Sequence, residues 1–274
     1  MSEVGCLYIV ATPIGNLEDI SQRALHHLAS AQYIVAEHPQ HSSKLLAAYE
    51  IQGKKVLTYQ DKDEVRMSEK VLMLLQQGND VALISDAGTP LISDPGYRLV
   101  LRAHQEKVRV IPVPGACALI TALSASGLSG VGFYFHGFLP DRSAARLAKI
   151  KQLEQLGGNY IVYESPYRLQ RCLDDLCEVV GGDRPVCLAK ELTKTFESVR
   201  YAPLAEHIAM LQGENVRGEW VILVQGEVKV SQEYPEALAR ELAELLGARK
   251  ASQLISDHFS VKKNMVYQQL IHDK

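Results

Sequence analysis

The sequence predicts an α/β protein of two domains with a small helical appendage at its carboxyl end. From residue 5 to residue 115, short β-branched runs alternate with longer amphipathic stretches, which favours parallel strands joined by crossover helices. A second series of apolar runs and amphipathic stretches extends to residue 226. Beyond Gly226 the apolar spacing is helical only, in ALARELAELL and again in VKKNMVYQQLI.

The elements of the first domain follow from these two periodicities. The predicted strands are Cys6–Ala11, Tyr33–Ala36, Val56–Thr58, Val81–Ile84 and Val108–Val113. The predicted helices are Ile20–Ser30, Ser43–Tyr49, Ser68–Gln77 and Tyr97–Gln105. The segment PVPG (112–115) holds two prolines and a glycine, so neither a helix nor a central strand can run through it. We therefore expect the first domain to comprise residues 1–115.

The second domain is predicted over residues 116–228. Its predicted strands are Phe133–His136, Tyr160–Tyr163, Val186–Ala189, Ser198–Tyr201 and Trp220–Val224. Its predicted helices are Cys117–Ser126, Ala144–Leu156, Leu169–Val180 and Leu204–Leu211. Residues 229–274 are expected to form the helical tail.

Charge and cysteine content narrow the class of protein. The formal net charge is −3, so no global positive field attracts nucleic acid, and any such contact must be local. Five cysteines without CxxC spacing fit a reducing cytosol better than a disulfide framework or a zinc site. The start MSEVGCLYIVATP has no basic region, and its apolar run is too short for a signal sequence or a membrane span. We therefore expect a cytoplasmic protein.

Several common motifs are missing. The segment ATPIGNLEDI after the first strand lacks the GxGxxG spacing of dinucleotide-binding domains, and no GxxxxGK[ST] motif occurs. The histidines, including His26, His27, His38 and His41, lack HExxH or paired-cysteine contexts. The sequence therefore predicts no metal site, and these histidines are expected to be solvated or to cap helices.

The segment LISDAGTPLISDPGYR (83–98) is a candidate ligand loop. Ligands of open parallel sheets bind at the carboxyl ends of strands, where this loop is predicted to lie. Gly88 lets the backbone approach a ligand closely, while Asp86, Thr89 and Asp94 offer hydrogen-bonding groups. The alternative is an ordinary β-turn in which Asp86 or Asp94 caps a helix.

Charged residues directly follow two predicted strands of the second domain. The segments YESPYR (163–168) and AKELTK (189–194) place there Glu164, Arg168, Lys190, Glu191 and Lys194. These side chains are expected to face the same crevice as the loops of the first domain. The alternative is ordinary strand-end charge, solvated or paired.

Taken together, these segments resemble the tetrapyrrole methylase-like, or class III, S-adenosylmethionine methyltransferases. The segments that carry the resemblance are LYIVATPIGNLEDIS, VALISDAGTPLISDPGYRLV, IPVPGACALITALSASGL, GFLP, YESPYR, LAKELTK and GEWVILV. The resemblance implies the tetrapyrrole methylase fold, with S-adenosyl-L-methionine in a cleft between the two domains of the chain. It also implies that two chains form a homodimer. It is strongest to family members that methylate the ribose 2′-hydroxyl of a cytidine in 16S ribosomal RNA of the small ribosomal subunit.

The resemblance also implies roles for individual residues. The implied cofactor contacts are Ile14, Asp86, Ala87, Gly88, Thr89, Ile92, Cys117, Ala118, Tyr163 and Trp220. Methyl transfer from a sulfonium is an in-line displacement that needs an aligned hydroxyl and removal of its proton, but no metal. We hypothesise that Lys190 or Glu191, with Glu164, handles this hydroxyl.

Contacts to RNA are expected from local basic residues. The substrate-binding candidates are Arg142, Arg168 and Lys194; further candidates are Arg146, Lys149, Lys151, Lys262 and Lys263. For the group at 142–151, a solvated helix face is an equal alternative.

The segments implied to meet the acceptor depart from the family pattern. Family members of this kind carry EDTR where this chain has EHPQ (37–40), and YHEHNE where it has YQDKDE (59–64). PGPSA has become PGACA (114–118), and YESPHR has become YESPYR. Two alternatives therefore stay open: a methyltransferase with a small-molecule or protein acceptor, and a binding protein that keeps the cofactor but has lost turnover.

Overall fold

A computed structural model of the protein describes residues 4–128, 132–213, 216–226, 234–259 and 261–272. The first sheet is entirely parallel, with strand order β3-β2-β4-β1-β5. Its strands are β1 Leu7–Val10, β2 Tyr33–Ala36, β3 Lys55–Thr58, β4 Val81–Leu83 and β5 Val110–Val113. The helices between them are α1 Gln22–Ser30, α2 Pro39–Ala48, α3 Glu64–Gln76 and α4 Tyr97–Gln105. The predicted parallel arrangement is confirmed, and Pro112 lies in the edge strand β5, where a missing N–H is tolerated.

Apolar residues cover both faces of the first sheet. Val81 and Leu83 of β4 pack with Leu75 of α3 on one face, whereas Ala82 packs with Leu28 of α1 on the other. This two-sided burial explains why its strands are continuous apolar runs rather than alternating ones.

The second sheet is mixed, with strand order β6-β7-β10-β8-β9. Its strands are β6 Phe133–Phe138, β7 Asn159–Glu164, β8 Pro185–Lys190, β9 Ser198–Pro203 and β10 Trp220–Val224. The helices of this segment are α5 Ala118–Ala125, α6 Ser143–Gln155, α7 Leu169–Val180 and α8 Leu204–Leu211. Strands β6 and β7 are parallel, and the other pairs are antiparallel.

The position of β10 determines which strand ends meet. Since β7 and β8 both run antiparallel to β10, their carboxyl ends lie at the edge where β10 begins. Trp220, the first residue of β10, is paired with Glu164 on one side and with Lys190 on the other. The charged segments that follow β7 and β8 therefore share one edge of the sheet.

The chain divides into two compact units, one of residues 1–153 and 158–225 and one of residues 154–157 and 226–274. The second unit contains α9 Glu236–Leu246, α10 Ala248–Phe259 and α11 Lys263–His272, which enclose a small core. Both sheets belong to the first unit, and the predicted domain boundaries at 115 and 228 stay predictions. The predicted start of the tail, residues 229–233, lies outside the described residues. Within the described ranges, each helix is too short or too polar to span a bilayer.

Candidate functional site

A cavity of about 410 Å³ lies where the loops after β1, β2, β4 and β5 meet the edge of the second sheet formed by β7 and β10. This volume falls within the range of roughly 300–1,000 Å³ that small-molecule sites occupy. The residues implied as cofactor contacts all line it: Ile14, Asp86, Ala87, Gly88, Thr89, Ile92, Cys117, Ala118, Tyr163 and Trp220. We call this cavity the cleft.

The loop after β4 is held against the loop after β1. Thr12 and Gly88 exchange two backbone hydrogen bonds, with N···O distances of 2.8 and 3.0 Å. The Ser85 hydroxyl donates to the Gly88 carbonyl at 3.0 Å. Gly88 has φ +86°, and a Cβ there would lie 3.2 Å from Cγ2 of Ile14. This backbone conformation favours glycine, and the missing Cβ allows Gly88 to approach Ile14 closely.

The loop is more than the β-turn that we considered as an alternative. Helix α4 begins after Gly96, and no side chain caps it, so neither Asp86 nor Asp94 has the predicted capping role. Asp86 instead contacts two histidines: its Oδ2 lies 2.6 Å from Nδ1 of His38 and 3.2 Å from Nδ1 of His41. Both imidazoles stay about half exposed, so the expectation that these histidines are solvated is compatible with the contacts to Asp86. His38 is also the N-cap residue of α2, although its side chain makes no capping hydrogen bond.

Hydrogen bonds fix the opposite wall of the cleft. The Leu119 N–H, in the first turn of α5, donates to the Tyr163 hydroxyl at 3.0 Å. The Thr89 hydroxyl donates to the Ala116 carbonyl at 2.9 Å, which ties the loop after β4 to the entry of α5. The Trp220 indole N–H donates to the Arg217 carbonyl at 3.1 Å. The aromatic rings are thus positioned before any ligand arrives.

The charge of the lining is one-sided. Carboxyl groups come from Glu37, Asp86, Asp94, Glu164 and Glu219, and none of the described lining residues is lysine or arginine. Two of the five, Glu164 and Glu219, form ion pairs with Arg168 and Lys194, which lie outside the lining. Burial and the neighbouring carboxylates of Glu37 and Asp86 raise the pKa of Asp94 to about 6. Such a lining favours a cationic ligand and disfavours phosphate groups.

Only one of the three residues predicted to handle a proton lines the cleft. Glu164 does so, and burial raises its pKa. Lys190 lies outside the lining, with Nζ 5.4 Å from the centroid of a Trp220 ring. The Glu191 carboxylate turns away and accepts hydrogen bonds from the Glu219 N–H at 2.9 Å and from Lys194 Nζ at 3.0 Å. The backbone hydrogen bond with Glu219 is the main cause that lowers the pKa of Glu191.

The predicted RNA contacts differ in availability. Arg142 is exposed. Arg168 binds Glu164, Asp141 and the Leu139 carbonyl, and Lys194 lies 3.0 Å from both Glu191 and Glu219.

Arg146 is the clearest departure from the expected basic surface. Its side chain is 4% exposed, and Nη2 lies 2.6 Å from Oδ2 of Asp175. Two further bonds go to the carbonyls of Pro140 and Asp141. Arg146 is therefore a buried structural residue and not an RNA contact, whereas Lys151 on the same helix is exposed.

Sequence reasoning assigned no ligand role to several lining residues. They are Glu37, Ser93, Phe138, Ser165, Pro166, Leu192, Glu219 and Val221. Apart from Glu37, they lie inside the segments LISDPG, GFLP, YESPYR, AKELTK and GEWVILV, so a signal was present in those motifs. Glu37 directly follows β2, and its position after a parallel strand was the available signal.

Comparison with known proteins agrees with this architecture. The family described as Tetrapyrrole (Corrin/Porphyrin) Methylases matches residues 6–208. Ribosomal RNA small subunit methyltransferase I of Vibrio cholerae serotype O1 is 46% identical over 267 residues, covering 95% of this chain and 92% of the relative. The protein of the same name from Pseudomonas aeruginosa is 44% identical, covering 97% of each chain.

Solved structures share the fold at low sequence identity. Diphthine synthase matches with a TM-score of 0.62 at 15% identity, covering 81% of this chain and 90% of its own. Uroporphyrin-III C-methyltransferase from Thermus thermophilus, complexed with S-adenosyl homocysteine, matches with a TM-score of 0.56 at 19% identity, covering 82% and 98%. From the family match and these relatives, the chain belongs to the tetrapyrrole (corrin/porphyrin) methylase family.

Proposed function

We propose that the protein is an S-adenosyl-L-methionine-dependent methyltransferase that methylates the ribose 2′-hydroxyl of a cytidine in 16S ribosomal RNA. The observation that supports this most is the cleft of about 410 Å³, which gathers the implied cofactor contacts around carboxylates. The names of the relatives at 44–46% identity support ribosomal RNA of the small subunit as the acceptor. The cytidine and its 2′-oxygen come from the resemblance of the sequence motifs.

The lining of the cleft fits this cofactor. Five carboxyl groups and the aromatic rings of Tyr163 and Trp220 suit a sulfonium cation and an ammonium group. Ile14 and Ile92 offer apolar contact to a nucleoside, and the missing side chain at Gly88 allows close backbone approach. When bound, the cofactor supplies an electrophilic methyl group.

Among the carboxyl groups of the cleft, Asp94 is best suited to remove the proton of the ribose hydroxyl. Its pKa of about 6 leaves it ionised at neutral pH yet basic enough to take up a proton, and it lines the cleft. Glu164, the residue of the original hypothesis that lines the cleft, is already held by Arg168 and by the Ser165 N–H at 2.8 Å. We propose that Trp220 is flanked by strand ends held in position by three residues: Glu164, Lys190 and Glu191.

The acidic lining of the cleft implies that the ribose and the phosphates of the RNA are bound at different places on the protein. Phosphates are repelled from the cleft, so only the uncharged ribose enters it, and the backbone must be bound outside. Among the described residues Arg142 enters no ion pair, and with Lys151 it offers exposed positive charge for this purpose.

We further propose that the protein is cytoplasmic, which the five free cysteines support. We also propose that it is a homodimer, which the exposed Phe133 and Tyr134 on edge strand β6 support.

The acceptor is tested with cofactor carrying a labelled methyl group and small ribosomal subunits that lack the modification. The expected product is label on a cytidine ribose of 16S RNA, with activity lost in Asp94→Ala and kept in Glu69→Gln, an exposed carboxylate on α3. Label in protein, in a base or in a small molecule would overturn the assignment of the acceptor. Wild-type protein that binds cofactor but transfers no label would overturn the assignment of turnover.

A further inference from the structure

Two imidazoles and one carboxylate converge at the margin of the cleft, where His38 and His41 have no part in the proposed methyl transfer and Asp86 is shared with the cleft lining. His38 precedes α2, His41 lies in its first turn, and Asp86 belongs to the loop after β4. One ligand atom from each residue lies within 4.8 Å of the other two. Both Nδ1 atoms approach the same carboxylate oxygen, at 2.6 and 3.2 Å.

The Asp86 carboxylate is only half used by this arrangement. Its second oxygen, Oδ1, is buried, and no donor within the described ranges reaches it. Buried carboxylate oxygens ordinarily have a partner, so this carboxylate has capacity to bind more than the two histidines. The imidazoles, in contrast, are about half exposed, with side-chain exposures of 49% for His38 and 63% for His41. They are free to adjust, whereas the carboxylate is fixed by its loop.

We propose that His38, His41 and Asp86 form a binding site for a divalent transition-metal ion of the Zn²⁺ class, with three protein ligands and an open coordination position. Imidazole nitrogen with carboxylate oxygen is a donor set for zinc and its neighbours rather than for Mg²⁺ or Ca²⁺. Three protein ligands with a vacant position also distinguish such a site from a closed structural zinc site. The proposed metal site shares Asp86 with the cleft lining, but its evidence and its test need neither the cofactor nor RNA.

The separations of the two imidazole nitrogens from the Asp86 oxygen require only a small adjustment. Two ligand atoms at about 2.1 Å from a tetrahedral ion are roughly 3.4 Å apart. The His41–Asp86 separation of 3.2 Å is already close to this, and the 2.6 Å His38–Asp86 separation must widen by less than about 1 Å. The centroids of the two imidazole rings lie 5.7 Å apart, and the three ligand atoms all lie within 4.8 Å of one another, which makes the shared ligation possible.

The test uses chelator-treated full-length protein, titrated with ZnCl₂ in a calorimeter without cofactor or RNA. We expect one ion per chain, with affinity at least tenfold weaker in His38→Ala and in His41→Ala. His104→Ala, at an exposed position in the last turn of α4, serves as the matched control and is expected to bind as wild type. Saturable one-site binding that survives in the His38→Ala/His41→Ala double variant would overturn the proposal, as would its absence from wild type.

A second measurement does not depend on the folding of any variant. X-ray absorption at the zinc edge of the loaded wild-type protein should show two imidazoles and oxygen ligands. Sulfur ligands would overturn the proposal, because they would place the ion on the free cysteines, of which Cys117 lines the cleft. Since the titration contains no methyl donor, its failure leaves the proposed methyl transfer intact.

Discussion

Arg168 forms an ion pair with Glu164, four residues earlier in the chain: its Nη2 lies 3.0 Å from Oε2, and its Nε lies 3.0 Å from Oε1. Glu164 ends β7 with a fully buried side chain, and Arg168 immediately precedes α7. Arg168 Nη2 also donates to the Leu139 carbonyl at 2.6 Å, near the end of β6. The guanidinium therefore joins two strand ends at the wall of the cleft, and these contacts direct it toward Glu164 and Leu139.

Replacing Arg168 with methionine should destabilise the fold. It leaves the Glu164 carboxylate buried without its cation, and we expect the free energy of unfolding to fall by about 3 kcal/mol. Urea denaturation measures this loss. Arg171→Met, at an exposed position on α7, is the control and should change the free energy by less than about 0.5 kcal/mol. A loss below about 1 kcal/mol in Arg168→Met would contradict the structural role of the pair.

Gly88→Ala should weaken cofactor binding beyond its cost in stability. A Cβ at this position would lie 3.2 Å from Cγ2 of Ile14, which lines the cleft, so that side chain must shift. Calorimetry with S-adenosylhomocysteine should show at least a tenfold weaker affinity. Gly53→Ala is the matched control, because Gly53 also has positive φ but its Cβ would meet no atom within 4 Å. Both variants should lose about 1 kcal/mol of stability, and equal affinities would contradict the account.

Tyr163→Phe should loosen the entry of α5. The substitution removes the acceptor of the Leu119 N–H and keeps the ring, so the free energy of unfolding should fall by about 1–2 kcal/mol. Tyr134→Phe, on the exposed edge strand β6, removes a hydroxyl at little expected cost. Amide hydrogen exchange at Leu119 would report the change locally, and unaltered protection there would argue against the proposed tie between β7 and α5.

Asp94 should make stability and activity depend on pH. Its pKa rises from 3.8 in the unfolded chain to about 6 in the fold, so the folded state binds the proton more tightly. The corresponding stabilisation is complete below pH 3.8 and is lost as pH rises through about 6. Asp94→Asn should therefore be more stable than wild type at pH 8, with the difference vanishing near pH 4. Parallel unfolding curves at both pH values test this, and a pH-independent difference would exclude the assigned pKa.

The same group should shape the rate of methyl transfer. If Asp94 accepts the proton, wild-type turnover should rise between pH 5 and 7 and then level off, following a pKa of about 6. A profile without an inflection in this range would remove Asp94 from the proton transfer and leave the cofactor site unaffected.

Periodicity was sufficient to predict most of the fold. Val81–Leu83 and Tyr33–Ala36 could be predicted because short branched runs between amphipathic stretches fit a doubly covered parallel sheet. The insertion of β10 between β7 and β8 could not, since strand order depends on packing between distant segments and not on local pattern. This insertion is what places Trp220 between Glu164 and Lys190.

Some features of the candidate site could likewise be predicted from the sequence, and others could not. Residues such as Gly88 and Tyr163 lie in motifs, so the resemblance could select them, although their role in binding stays a prediction. The direction of the Glu191 side chain could not be predicted from the sequence, because its carboxylate accepts a hydrogen bond from the Glu219 N–H, 28 residues further along the chain. His38 and Asp86 are 48 residues apart, and only the parallel order of β2 and β4 brings them together.

We propose above all that the Gly88 loop and the strand ends around Tyr163 and Trp220 enclose one cofactor molecule. The decisive experiment is a crystal structure of the protein grown with saturating S-adenosylhomocysteine. We expect density for one molecule per chain in contact with Gly88 on one side and Tyr163 on the other. A ligand bound anywhere else, or well-ordered side chains closing this space, would contradict it.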